Sequence, residues 1–225
     1  MGMFLILVSG VAWTVVYVEA SRVGFRERTY AMPVAALGLN FAWEWTYAVR
    51  SLSVGVSVQG VIDLVWGIGD VLIAYTFFRY GRTELPPFVT RWMFAGWGVL
   101  VFGLSFATQW LFIGQFGGHD AAAYSAFLQN LLMSGLFIAM FVGRRGMRGQ
   151  SLTIAVAKWL GTLAPTILFG GLGHVPFILG IGLMCSVLDL VYIGLCVWAK
   201  RSNRVLAEAP RQEQPRLLQP LPGNP

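Results

Sequence analysis

Seven apolar stretches, at 3–20, 30–49, 60–78, 92–112, 121–142, 152–169 and 175–199, constrain this chain more than any other feature of its sequence. Each is close to the ~20 residues that a helix needs to cross a hydrocarbon layer. Only 12% of the residues are charged, against about 25% in an ordinary soluble domain. So little charge cannot cover a surface that faces water on all sides. The reading is an all-α integral membrane protein, a bundle of seven transmembrane helices. Its 27 glycines suit the close helix packing that lipid requires.

Basic residues set the expected orientation. Arg22, Arg26 and Arg28 follow the first stretch, Arg79, Arg82 and Arg91 flank the third loop, and Arg144, Arg145 and Arg148 form the fifth. The seventh stretch ends in Lys200, Arg201 and Arg204. The second, fourth and sixth loops carry little beyond Arg50, His119, Asp120 and His174. Positive charge marks the cytoplasmic side, which places the N-terminus outside and the C-terminus in the cytoplasm, in a multi-pass protein of the cell membrane. This alternation accounts for the net charge of +6 as topology, with no face left for nucleic acid. Residues 1–200 form one transmembrane domain, and residues 201–225, polar and rich in proline, are expected to be a disordered cytoplasmic tail. The first stretch has no basic segment before it and reads as a retained helix, not a cleaved signal. Cys185 and Cys196 share one apolar stretch and imply neither a disulfide nor a metal site.

Carboxylates inside the stretches carry the chemistry. Glu44 falls in the second helix, Asp63 and Asp70 in the third, and Asp189 in the seventh. A charge at the bilayer centre costs about 2.5–3.5 kcal/mol or more, so such residues face the bundle interior and have a partner or a task. Helical spacing puts Asn40, Glu44 and Tyr47 on one face, Asp63, Trp66 and Asp70 on another, and Cys185, Asp189 and Tyr192 on a third. The four acids are expected to line one chamber in the outer half of the bilayer. No intramembrane cation balances them in this reading, since Lys158 is placed near the cytoplasmic start of the sixth helix. A carboxyl group without a cation in a dry interior favours its neutral form and can donate a proton. The competing assignment is structural, with each acid hydrogen-bonded to Asn40, Gln109, Gln129 or Asn130 and joining helices. Trp43 and Trp66 adjoin the acids and could face a cation, or simply pack.

No aspartate run or adjacent acid pair is present for a Mg2+–diphosphate site, so no metal and no cofactor is expected. Nor is there a zinc-protease, serine-elbow, phosphate-loop or dinucleotide motif.

The segment Asn40-Phe41-Ala42-Trp43-Glu44, with Asp189 on the last helix, resembles the small membrane-bound terpene cyclases of meroterpenoid and indole-terpenoid pathways. These include fungal members and actinobacterial drimentine-type members. The resemblance implies that Glu44 and Asp189 are the essential catalytic acids; the helix faces they share add Asn40, Trp43, Tyr47 and Tyr192, and helix three adds Asp63, Trp66 and Asp70, as the expected surroundings of the substrate. It implies a lipophilic prenylated substrate, such as a farnesylated indole on a cyclic dipeptide. Protonation of the distal isoprene unit would start the reaction, with Asp189 as donor or co-donor and Glu44 orienting it or sharing its proton. Olefin and epoxide initiation both stay open, as does oligomeric state. A proton-coupled small-molecule transporter or a seven-helix sensor is the alternative, with the same acids relaying protons.

Overall fold

The computed structural model describes residues 1–208, with only the backbone described for His119 and residues 203–208. It contains helices and connecting turns and, among the described residues, no strand. Seven long α-helices follow one another: α1 (Gly2–Glu27), α2 (Val34–Val54), α3 (Val58–Tyr80), α4 (Arg91–Phe116), α5 (Gly118–Gly143), α6 (Leu152–Pro165) and α7 (Pro176–Glu208). Local chemistry fixes the ends. Ser57, Thr90 and Ser151 cap α3, α4 and α6 through their side-chain oxygens. Pro33 and Pro176 open α2 and α7, where a missing N–H leaves nothing unsatisfied. Arg28, with φ of 50°, closes α1 in the left-handed conformation.

Six of these segments are long and apolar enough to cross a membrane, and α2 is the exception. Asn40, Glu44, Arg50, Ser51 and Ser53 lower its hydropathy. Packing explains why that is tolerated. The helices close a ring in the order α1, α3, α2, α5, α7, α6, and α4 lies outside it against α2 and α5. With α4 over its outer side, α2 need not present an apolar stripe to lipid. The lipid-facing surface is apolar elsewhere: Val11, Leu111 and Val187 are each more than 60% exposed. A water-soluble monomer does not carry so extensive an apolar surface, whereas a bilayer requires it.

The two ends of the ring differ. The Arg-rich loops interlock at one end. Arg148 pairs with Glu84 at 2.9 Å, Thr29 donates to Glu84 at 2.8 Å, and Arg144 donates to the Tyr30 carbonyl at 2.9 Å. The adjoining half is solid, with Val23, Met32, Phe77, Phe137, Ile154 and Cys196 in one continuous core. The far half encloses a cavity. There α6 passes at Pro165 into a π-helical turn (Thr166–Leu172), because proline offers no N–H to continue the α pattern. Gly170 lets that turn press on α7: a Cβ there would lie 2.6 Å from the Leu179 backbone.

The strongest interior link corrects the expectation that the membrane-embedded acids lack a cation. Lys158 is 0% exposed and donates to both carboxylate oxygens of Asp189, at 2.9 and 3.1 Å, and to Ser134 Oγ at 2.7 Å. Its long stem carries the ammonium away from the helix start and into the bundle. The three bonds join α6, α7 and α5 and use all three ammonium protons. The last helix also runs on to Glu208, into the stretch where a tail was expected from residue 201, and residues 209–225 of that tail lie outside the described residues.

Removing one partner of a buried pair leaves a bare charge, at about 3–5 kcal/mol, whereas replacing both by apolar residues is close to neutral. Lys158→Met and Asp189→Leu should therefore each sharply lower the detergent melting temperature. The double variant should recover most of the loss. Equal destabilisation by the singles and the double would show that the pair contributes nothing as a pair.

Candidate active site

The cavity in the open half has a volume of about 800 Å³, within the range of sites that enclose small organic ligands. Helices α1, α2, α3, α5, α6 and the start of α7, with the π-helical turn, supply its walls. Aromatic rings dominate near the acids: Trp13, Trp43, Tyr47 and Trp66 all line it. Their positions are fixed individually. The Trp43 indole donates to the Ala122 carbonyl of α5 at 3.0 Å, and the Trp66 indole donates to Thr14 of α1 at 3.2 Å. Trp13 approaches α6 closely because Gly161 has no side chain; a Cβ there would be 2.9 Å from the indole.

Glu44 is the acid at the centre of this wall. It is 4% exposed, and Tyr17 donates its phenol proton to Glu44 Oε1 at 3.2 Å. Asn40 Nδ2 donates to the Tyr17 oxygen at 2.6 Å and also lies 3.0 Å from Asp70 Oδ2. The result is a continuous string, Asp70–Asn40–Tyr17–Glu44, across α3, α2 and α1. The second oxygen of Glu44 is buried without a hydrogen-bond partner. A buried polar atom left unbonded costs roughly 1–3 kcal/mol, so this oxygen, on a residue that lines the cavity, has hydrogen-bonding capacity to spare. Asp63 also lines the cavity, nearer the start of α3, and accepts from Gln59 at 2.6 Å.

The structure thus brings together Asn40, Trp43, Glu44, Tyr47, Asp63 and Trp66 of the residues expected from sequence. Asp70 stands just behind this wall, joined to it through Asn40. Two expected residues lie elsewhere. Asp189 is outside the cavity lining, paired with Lys158, and Tyr192 is fully buried in the packed half, 5.3 Å from the Phe137 ring. The single four-acid chamber is therefore two separate acid sites. Tyr17 was legible only as a packing aromatic; its distinguishing signal is that 17 falls one helical turn from Trp13 on the face that meets Asn40. Lys158 carried a stronger signal, being a lysine six residues inside an apolar helix. Among the described residues no three histidine, cysteine, aspartate or glutamate side chains converge into a group able to hold a metal ion.

Comparison with known proteins fits this site. The family model for Pyr4-like transmembrane terpene cyclases matches residues 1–170. Terpene cyclase pyr4 of Aspergillus fumigatus is 28% identical over 204 residues, covering 84% of this chain and 82% of its own. The Pyr4-family terpene cyclase mfmH of Annulohypoxylon moriforme is 27% identical over 171 residues, covering 73% and 68%. Terpene cyclase ascF of Acremonium egyptiacum is 30% identical over 169 residues, covering 68% and 61%. No solved structure matches the chain. With an aromatic, acid-bearing cavity inside an apolar helix ring and a family match over residues 1–170, the chain belongs to the Pyr4-like transmembrane terpene cyclases, multi-pass membrane enzymes of cyclase type.

Proposed function

We propose that the protein cyclises a prenylated substrate by proton transfer from Glu44, without a metal ion. The observation that carries this reading is Glu44, buried with one carboxyl oxygen unpartnered, on the wall of a cavity lined by aromatic rings. Glu44 gives its proton to the terminal carbon of the distal isoprene unit, forming a C–H bond. Neighbouring π bonds then close the rings one after another. A final C–H bond breaks to form a new double bond and release a proton, so the overall change is an isomerisation. Tyr17 holds the carboxylate left behind through its O–H, and Asn40, which also donates to Asp70, holds Tyr17. The carboxyl groups so linked titrate as a set rather than singly. Trp43, Trp66 and Trp13 offer ring faces to the moving cation while excluding water. Asp189, off the cavity, supports the site through its bond to Lys158.

Within the substrate class we assign a farnesylated indole carried on a tryptophan-containing cyclic dipeptide, with protonation of an unoxidised olefin. A terminal epoxide would be opened by the same proton. The solid half below the cavity favours cyclisation over proton-coupled transport, because a relay would need a polar path through that core. For topology we propose seven spans in the cell membrane, N-terminus outside, α2 being the span sheltered by α4.

Purified enzyme in detergent should convert the farnesylated substrate with no ion gradient and equally well in EDTA. Loss of turnover on chelation, restored by Mg2+, would overturn the metal-free mechanism. Glu44→Gln keeps the shape and removes the proton, and should lower turnover roughly 10²–10⁴-fold at matched protein levels. Asp63→Asn should do less, since that side chain stands nearer the mouth. Near wild-type cyclisation by Glu44→Gln would leave the reaction without its donor. Reporter fusions should find residues 81–90 and the end of α7 in the cytoplasm and residues 117–120 outside, and the reverse would invert the assignment.

A further inference from the structure

The cavity has a charged edge that proton delivery does not use. Arg50, Gln59, Gly118, Asp120 and Gly173 line the cavity and are also exposed, so they mark its mouth. Arg50 continues the inner wall of α2: Trp43, Tyr47 and Arg50 follow at i, i+4 and i+7, and all three line the cavity. That face meets α5, against which α2 is packed and to which the Trp43 indole is bonded. The Arg50 side chain reaches the first turn of α5, where a Cβ on Gly118 would lie 3.3 Å from guanidinium Nη2. Among the described residues, Ser53 donates to the Arg50 backbone carbonyl, and the guanidinium itself has neither an ion pair nor a hydrogen bond.

Its position argues for a ligand. Among the described residues, the other arginines and lysines lie toward the opposite end of the bundle or, like Lys158, inside it. An arginine kept at this end to meet lipid headgroups alone would sit on the outer face of the ring, not on the stripe that lines the cavity. We propose that Arg50 binds the polar head of the substrate by donating to a neutral carbonyl oxygen, while the prenyl chain lies deeper along α2. A guanidinium offers donors and no acceptor, so an N–H or alkyl head gains nothing there. Asp120 on the same mouth counts against a carboxylate. Glu44 stands six residues before Arg50, about 9 Å along the helix axis. An extended farnesyl chain is longer than that gap. A head held at Arg50 therefore brings the distal double bond to Glu44 when the chain is folded, as ring closure needs. This folding rests on the cyclisation proposed above; recognition of the carbonyl does not.

The test compares two ligands of nearly equal shape, a farnesylated acetophenone and the matching farnesylated isopropylbenzene. Their binding to the full-length protein in phosphate-free maltoside micelles is followed by quenching of tryptophan fluorescence. One hydrogen bond is worth roughly a threefold to tenfold difference in affinity. Arg50→Met should weaken binding of the ketone relative to the hydrocarbon by about that factor, and Arg50→Lys, which keeps a cationic donor, should retain part of the preference. Gly118→Val puts methyl groups where the guanidinium rests and should lower the preference too. An affinity ratio unchanged from wild type in Arg50→Met overturns the assignment, and is the result expected if the guanidinium serves lipid phosphates alone. Should Arg50→Met not fold, an unchanged ratio in Gly118→Val overturns it instead. Absence of turnover in wild-type protein counts against the cyclase mechanism, and the binding comparison then decides the role of Arg50 by itself.

Discussion

The bond between Lys158 and Asp189 holds a full charge pair where water does not reach, and the architecture of the cavity half depends on it. Each ion alone would be intolerable in that interior, so the two helices that carry them can pack in only one register. An apolar pair of the same volume could supply equal stability but would permit neighbouring registers. Ser134 extends the constraint to α5 by taking the third ammonium proton. Three helices are therefore located relative to one another by one nitrogen atom.

Below the pair the bundle is solid, and above it the bundle is hollow. That division suits chemistry in which a reactive cation forms inside a protein. The packed half closes the chamber to water from the Arg-rich end, and the rings of Trp13, Trp43 and Trp66 line the open half. Such rings are large and stiff, and each indole approaches a neighbouring helix, so they can impose a shape on a flexible isoprenoid chain. Helix α2 pays in hydropathy for carrying Asn40, Glu44 and Arg50, and α4 compensates by covering its outer side.

Much of this was legible in the sequence because bilayer thickness makes helix length almost a counting problem. The seven helices and the grouping of the Arg-rich loops follow from hydropathy and charge alone. Glu44, Asn40, Trp43 and Tyr47 were legible as one face because a single helix carries them at helical spacing. What failed was the part of the reading that needed to know how α6 and α7 sit against the rest of the ring. Asp189 resembles Glu44 in sequence, an acid at mid-helix, yet it faces α6 instead of the cavity. Lys158 was assigned to the interface by counting along its helix, but a lysine side chain spans more than a helical turn and can point inward. The same limit hid Tyr17, whose role is set by contacts 23 and 27 residues away.

In the reaction proposed above, the Tyr17 bond to Glu44 has a chemical logic. A carboxylate that has just given up its proton is the nucleophile nearest the new cation, and capture by it would end the cascade as an ester. Tyr17, which donates to one oxygen of Glu44, would lower that risk by occupying a lone pair of the carboxylate. Ring closure lowers it further by moving the positive charge along the chain, away from Glu44. Wherever the charge arrives, a strong nucleophile would be harmful, so an acid held on one wall among aromatic rings would give the proposed cascade a direction, away from the carboxylate that starts it.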